Sequence, residues 1–67
     1  TIDLNVKDQN GMTALMLAAE GGHTEIVRTF IMLNANTKLV NKDGKTALDL
    51  ARTNGHTDIV KLLNTRR

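Results

Sequence analysis

The chain has 67 residues, 40% of them apolar, and a formal net charge of +2. It contains no cysteine, which excludes a disulfide framework and a zinc–thiolate site. No apolar run approaches the ~20 residues of a membrane-spanning helix. Chains of about 60 residues bury only ~60% of their unfolded surface. The apolar content therefore suffices to pack helices but not to enclose a cofactor, and none is expected.

Charge is distributed unevenly along the chain. Residues 1–37 carry two cations and four carboxylates, a net of −2, and residues 38–67 carry seven cations and three carboxylates, a net of +4. The cations are scattered apart from Arg66-Arg67, and Phe30 is the single aromatic residue. Nucleic-acid binding usually needs a basic stripe, often with stacking aromatics. The pattern therefore indicates a solvated basic end and disfavours nucleic acid as a partner.

The sequence repeats itself with a period of 33 residues. At that offset, eleven of the 34 aligned positions are identical, and all of them fall within residues 11–27 and 44–60. Two further pairs keep their charge, Glu25 with Asp58 and Arg28 with Lys61. A period of this length predicts helix–turn–helix units stacked as a solenoid.

Each unit is predicted to begin with a turn and a first helix. Asn10-Gly11 predicts a hairpin-like turn, because glycine adopts positive φ without penalty. Thr13 is predicted to cap a helix over Ala14–Glu20. Leu15 and Leu17 are expected to fill the space between helices. The equivalent features of the second unit are Asp43-Gly44, Thr46, Ala47–Thr53, Leu48 and Leu50.

A second helix follows in each unit. Gly21-Gly22 ends the first helix. Thr24 is predicted to cap the next one, and Glu25 lies in its first turn, where a negative charge suits the helix dipole. Asn34 is expected to be left-handed after this helix. The apolar positions at helical spacing are Ile26, Val27, Phe30 and Ile31, then Ile59, Val60, Leu62 and Leu63. Their β-branched members also favour a strand, but the caps and the antiparallel first helix argue against it.

A resemblance to ankyrin repeats lies in two blocks, GMTALMLAAEGGHTEIVRTFI at residues 11–31 and GKTALDLARTNGHTDIVKLL at residues 44–63. The family pattern is close to D-x-x-G-x-T-P-L-H-x-A-A-x-x-G-H-x-x-I-V-x-x-L-L-x-x-G-A-D-x-N. The resemblance implies an all-α, ankyrin-type α-solenoid of stacked helix–turn–helix repeats with β-hairpin-like loops. It divides the chain into the tail of a preceding repeat (1–9), a first repeat (10–40) and a second repeat (41–67).

Several positions depart from the family pattern. Ala14 and Ala47 stand where the family often has proline, so both first helices lose a pre-set first turn. Met16 and Asp49 replace the histidine of the pattern and lose its side-chain hydrogen bond, although a carboxylate can still accept one.

The second repeat is more polar than the first. Lys45, Asp49 and Arg52 stand where the first repeat has Met12, Met16 and Ala19. Terminal repeats need one face turned to water, so the second repeat is predicted to be a C-terminal cap and the array is expected to continue upstream. At least three repeats are usually needed for stability. We therefore expect the isolated chain to be weakly stable or to self-associate.

The residues for most enzyme chemistry are missing. Without serine or cysteine the usual nucleophiles are absent, and no phosphate-binding glycine motif occurs. His23 and His56 lie one repeat apart, but a metal site needs further ligands. Each histidine is expected instead to bridge to a neighbouring repeat by a hydrogen bond. Of the methionines, Met16 is expected in the core, Met32 over a neighbouring repeat and Met12 at the surface.

The function predicted from these features is a non-catalytic protein–protein interaction module. The partner would bind the hairpin tips and the concave surface of the first helices, at positions where the repeats differ. By resemblance to the family, these positions are Lys7, Gln9, Asn10, Met12, Glu20, Gly21, Val40, Lys42, Asp43, Lys45, Arg52, Thr53 and Asn54. The cations Lys42, Lys45 and Arg52 lie in one repeat, which favours an acidic partner segment.

Two further expectations accompany this function. The alternative is a structural role as the C-terminal cap of a longer array, with recognition or catalysis elsewhere in the parent chain. The absence of cysteine, of a signal segment and of any N-x-[ST] sequon favours an intracellular location.

Overall fold

The computed structural model describes residues 5–64, which form two stacked helix pairs. Helix α1 spans Ala14–Gly21, α2 Thr24–Met32, α3 Ala47–Thr53 and α4 Thr57–Asn64. Each helix packs on its partner within the repeat and on the equivalent helix of the other repeat. This confirms the predicted all-α solenoid. The predicted repeat boundaries stay a prediction. Residues 1–4 of the predicted tail and residues 65–67 of the second repeat lie outside the described residues.

The first helix of each repeat is capped as predicted. The Thr13 hydroxyl oxygen accepts a hydrogen bond from the Met16 backbone N–H at 3.2 Å, and the Met16 sulfur accepts one from the Thr13 N–H at 3.5 Å. Thr46 and Asp49 form the same reciprocal pair at 3.2 and 3.1 Å. These bonds satisfy backbone donors that have no partner within the helix. Asp49 thus makes a side-chain hydrogen bond despite replacing the histidine of the pattern.

The second helices begin differently from the prediction. Gly22 closes α1 in the left-handed conformation, at φ +78°, and the His23 N–H bonds back to the Ala18 carbonyl at 2.9 Å. Because the connection is this short, α2 starts at Thr24 itself, and His23 occupies the capping position without a side-chain hydrogen bond. The predicted capping role of Thr24 is therefore wrong. Thr57 likewise lies inside α4.

The chain leaves α2 through a left-handed asparagine, as predicted. Asn34 has φ +63°. The Ala35 N–H then bonds to the Phe30 carbonyl at 3.0 Å, and Ala35 is buried. Asparagine tolerates this conformation better than most residues, so it replaces glycine at this turn.

The core lies between the helices and combines alanines with larger apolar side chains. Leu15 is 1% exposed, as predicted, while Leu48 and Leu50 are partly buried against the core. The prediction that Leu17 also fills the core is wrong, because its side chain is 50% exposed. Leu17 lies two residues beyond Leu15, about 200° around the helix, and therefore lies on the side of the loops.

The three methionines lie in different environments. Met16 is buried, as predicted. The predicted exposure of Met12 is wrong: it is 9% exposed, and the Asn41 side-chain amide of the following loop lies 3.4 Å from its sulfur. Met32 is 76% exposed and does not cover the second repeat. Contact between Met32 and a preceding repeat stays a prediction.

The end of the second repeat is polar where the first repeat is apolar. Met16 and Ala19 are buried, whereas the equivalent Asp49 is partly exposed and Arg52 is exposed. We call this end of the stack the trailing face; its residues are Lys45, Asp49, Arg52 and Val60. The pKa of the Asp49 carboxyl is lowered by hydrogen bonds from the Thr46 backbone and hydroxyl, and to a smaller extent by the nearby Lys45 and Arg52.

The opposite end of the stack is apolar and uncovered. Ile59 is fully buried, whereas the equivalent Ile26 is 48% exposed. Ala47 is also buried, and its equivalent Ala14 is exposed. We call this end the leading face; its residues are Ala14, His23 and Ile26. The second repeat therefore buries against its neighbour the positions that the first repeat leaves open.

Two equivalent glycines are expected to differ in their tolerance of alanine. Gly22 and Gly55 have φ +78° and +73°, so either substitution costs roughly 1 kcal/mol of left-handed strain. A Cβ on Gly22 would also lie 2.8 Å from the His56 ring, whereas nothing lies within 4 Å of one on Gly55. Displacing that ring removes its hydrogen bond to Glu20, worth about 1 kcal/mol. Urea unfolding is expected to show a larger loss for Gly22→Ala than for Gly55→Ala, and equal losses would contradict this role of His56.

Candidate functional site

The loop before α1 is a compact turn built on one carboxylate. Asp8 Oδ1 accepts hydrogen bonds from the backbone N–H groups of Asn10 and Met12, each at 2.9 Å. The Gly11 N–H bonds to the Asp8 carbonyl at 3.0 Å, and the Asp8 N–H bonds to the Met12 carbonyl at 2.9 Å. Side chains of this type stabilise turns by accepting from the backbone two residues on. The predicted hairpin-like turn at Asn10-Gly11 is present.

The loop before α3 repeats this geometry with an asparagine. Asn41 Oδ1 accepts from the N–H groups of Asp43 and Lys45, at 2.9 and 3.0 Å. The Gly44 N–H bonds to the Asn41 carbonyl at 3.0 Å. An Asp or an Asn fits this position because the turn uses only a side-chain oxygen.

Hydrogen bonds join the two loops side by side. The Lys42 backbone N–H donates to the Asn10 carbonyl at 3.2 Å. The Lys7 ammonium donates to the Val40 carbonyl at 2.7 Å. The loop tips are thereby held in register above the first helices.

A groove runs between these loop tips and the exposed sides of α1 and α3. Leu17 and Leu50, at equivalent positions one repeat apart, supply its apolar surface. We call it the Leu17–Leu50 groove; its charged lining residues are Asp8, Glu20, Lys42 and Asp43. Concave surfaces with a few polar groups around an apolar patch are common binding sites.

Carboxylates outnumber cations around the Leu17–Leu50 groove by three to one. Within residues 5–64, the side chains of Glu20 and Asp43 make no hydrogen bond or ion pair with other groups. Asp8 differs, because its Oδ1 already holds the turn. The groove therefore combines two leucines with an excess of negative charge.

The structure brings together only part of the predicted partner-binding set. Asn10, Glu20, Lys42 and Asp43 line the groove at the surface, and Met12 lines it from a buried position. The remaining predicted positions are all exposed and lie in the loops, at the C-terminal ends of α1 and α3, or on the trailing face. They are Lys7, Gln9, Gly21, Val40, Lys45, Arg52, Thr53 and Asn54.

Four residues of the groove were not predicted from the sequence, namely Asp8, Leu17, Asn41 and Leu50. Leu17 and Leu50 are identical in the two repeats, a pattern that favours a framework role over recognition. Their angular distance from Leu15 and Leu48 along each helix was the available signal. Asp8 and its equivalent Asn41 were left out because they stand at the aspartate of the family pattern, a position that favours a framework role over recognition.

The turns after the first helices also connect the repeats. The His56 Nε2 lies 3.0 Å from the Glu20 carbonyl, and the Asn54 amide donates to the same oxygen at 3.4 Å. The predicted histidine bridge between repeats is confirmed for His56. The His23 ring makes no hydrogen bond within residues 5–64, so its bridge to a preceding repeat stays a prediction.

Two other features are absent from residues 5–64. No group of three or more His, Asp or Glu side chains is placed to hold a metal ion there. None of the helices in that range has the length and apolar character needed to cross a membrane.

Comparison with known proteins gives similarities at three levels. The family model for ankyrin repeats (3 copies) matches residues 1–66. A chain in the solved structure of the Bd0816 predatory endopeptidase from Bdellovibrio bacteriovorus, in complex with the immunity protein Bd3460, is 42% identical to this one. The alignment has a TM-score of 0.95 and covers 98% of this chain and 34% of that chain.

A plant protein shows a shorter similarity. The probable E3 ubiquitin-protein ligase XBOS32 of Oryza sativa subsp. japonica is 43% identical over 35 residues, which is 52% of this chain and 7% of the ligase. The chain thus spans about a third of the solved chain and a small part of the ligase.

These similarities agree with the geometry. The helix pairs, the paired loops and the 33-residue period are those of ankyrin repeats, which are generally protein-interaction modules. The similar solved chain comes from a complex of two different proteins. Since the family model covers nearly the whole chain, the chain belongs to the ankyrin-repeat family.

Proposed function

We propose that the chain is a non-catalytic protein-interaction module and that its partner binds in the Leu17–Leu50 groove. The observation that carries this proposal is Leu17, a large apolar residue that is 50% exposed and lines the groove beside two hydrogen-bonded loops. Exposed apolar surface surrounded by polar residues is typical of protein-interaction sites and ligand-binding grooves. The complex that contains the similar solved chain also supports a protein partner.

The test is affinity capture from cell lysate with two matched variants. Leu17→Ser removes the apolar side chain from the groove. Met32→Ser removes one that is 76% exposed at the end of α2, outside the groove. We expect a protein to be retained by the native chain and by Met32→Ser but lost with Leu17→Ser, because only the latter loses its anchor.

Both variants should first show native helical circular dichroism, so that loss of binding reports on the surface. A protein retained equally by all three chains would contradict binding through the groove. Such a result would favour the alternative function, the structural cap.

The alternative function is a C-terminal cap of a longer array, and the trailing face favours it. Arg52 and Asp49 occupy positions whose equivalents in the first repeat are buried. A further repeat stacked on that face would bury these charges at a cost of several kcal/mol. Under this alternative the recognition surface or a catalytic domain lies elsewhere in the parent chain.

The predicted acidic partner segment depends on three cations that the structure places apart. Lys42 lines the groove, whereas Lys45 and Arg52 lie near the Asp49 carboxylate on the trailing face. An acidic segment in the groove would meet one cation and three carboxylates. The acidic partner stays a prediction, and the charge of the groove does not favour it.

Two further expectations also stay predictions. The uncovered apolar leading face supports self-association of the isolated chain, which sedimentation equilibrium would detect. The intracellular location rests on sequence composition alone, and localisation of the full-length protein would test it.

A further inference from the structure

We propose, as an extension that rests on the proposed function, that the Leu17–Leu50 groove binds a peptide segment of one chemistry. The segment presents an aliphatic side chain with a lysine or arginine close to it in sequence. The aliphatic side chain packs on Leu17 and Leu50. The cation lies beside the carboxylates of the groove, Asp8, Glu20 and Asp43.

The apolar half of this specificity follows from the two leucines that line the groove. Leu17 and Leu50 are equivalent residues of adjacent repeats, and α1 packs directly against α3. Both leucines line the same groove and supply apolar surface to it. An aliphatic side chain placed there removes the exposed half of Leu17 from water. Because it has no polar atoms, it needs no hydrogen-bonding partner in the groove.

The charged half follows from the carboxylates of the groove. The side chains of Glu20 and Asp43 have no hydrogen-bonding or ionic partner within residues 5–64. Asp8 uses its Oδ1 in the turn but keeps its negative charge. Lys42 is the single cation of the described lining. A bound lysine or arginine would face three carboxylates, while a bound carboxylate would be repelled by all three.

Other charged surfaces of the described residues are closer to neutral. Arg28 forms an ion pair with Glu25 at 3.2 Å on α2. On the trailing face, Asp49 lies beside Lys45 and Arg52. Among residues 5–64, the Leu17–Leu50 groove brings a half-exposed leucine together with two carboxylates, Glu20 and Asp43, that have no partner in that range.

The experiment measures binding of the intact chain to four sets of immobilised synthetic peptides. The first set carries leucine near lysine at varied spacings. The second and third replace the lysine by glutamine or glutamate, and the fourth replaces the leucine by alanine. We expect the leucine–lysine set to bind roughly tenfold more tightly than the leucine–glutamate and alanine–lysine sets. The preference over glutamate should shrink as salt is raised.

Chain variants show whether this preference arises in the groove. Glu20→Gln combined with Asp43→Asn should abolish the preference for lysine over glutamine. Asp58→Asn removes a carboxylate from the first turn of α4, outside the groove, and should leave the preference unchanged. Leu17→Ser should abolish binding of every set.

The outcomes separate this inference from the proposed function. Leucine peptides that bind equally well with lysine and glutamate, in a manner that Leu17→Ser abolishes, would overturn the charge preference and support the groove. Binding that Leu17→Ser leaves intact, or no binding by any set, would overturn both. A preference for lysine that survives Glu20→Gln with Asp43→Asn would also overturn the inference.

Discussion

Replacing Leu15 with alanine is expected to remove a large part of the chain's free energy of unfolding. Leu15 is 1% exposed and belongs to the core between the helices. Its truncation removes buried methyl groups and leaves a cavity, at a cost of ~2–5 kcal/mol. At 0.05–0.15 kcal/mol per residue, a 67-residue chain has a net stability of roughly 3–10 kcal/mol. The substitution therefore consumes a large part of that stability.

Far-UV circular dichroism and urea unfolding measure this effect, and the same helix supplies the control. Leu17→Ala removes the same atoms from a side chain that is 50% exposed, so its cost should stay under about 1 kcal/mol. Leu48→Ala should fall between the two, because Leu48 is only partly buried. A Leu15→Ala chain that unfolds at the same urea concentration as Leu17→Ala would contradict the assignment of Leu15 to the core.

Exchanging the equivalent residues Ala19 and Arg52 is expected to have unequal effects on the free energy of unfolding. Ala19→Arg should lower it even more than Leu15→Ala does. Ala19 is completely buried, whereas the equivalent Arg52 is exposed on the trailing face. Ala19→Arg forces a long charged side chain between closely packed helices, where overpacking costs about 1–3 kcal/mol and desolvation of the charge several more. We expect this variant to lose its cooperative unfolding transition.

The reverse substitution is the control for this prediction. Arg52→Ala removes an exposed charge and should change the free energy of unfolding by no more than about 0.5 kcal/mol. The two variants are compared by circular dichroism during thermal unfolding. A folded Ala19→Arg chain, or a strongly destabilised Arg52→Ala chain, would show that the burial of the two ends has been assigned to the wrong faces.

The sequence predicts those parts of the fold that depend on local chemistry. The caps at Thr13 and Thr46 and the left-handed Asn34 each follow from neighbouring residues, and each is present. The cap predicted at Thr24 failed because the start of α2 depends on how Gly22 and His23 close α1. The connection between two elements, rather than the threonine, determines where the second one begins.

The candidate site was less predictable because it depends on which surfaces the repeats turn toward each other. Met12 and Leu17 have similar hydrophobicity, yet the neighbouring loop covers Met12 and nothing covers half of Leu17. Comparison of the two repeats finds variable positions such as Lys42 and Glu20. It misses Leu17, which is shared by both repeats.

The contrast between the leading and trailing faces also limits how copies of the chain can assemble. Head-to-tail association would bring the apolar Ile26 of one copy against Arg52 and Asp49 of the next. This arrangement is disfavoured because the two charged side chains would lose their contact with water. Heterologous contacts of that kind are the ones that propagate into filaments. The leading faces of two copies can still meet by a two-fold axis, and such a pair buries both faces and ends there. If copies of the chain associate, the charged trailing face therefore favours closed dimers over filaments.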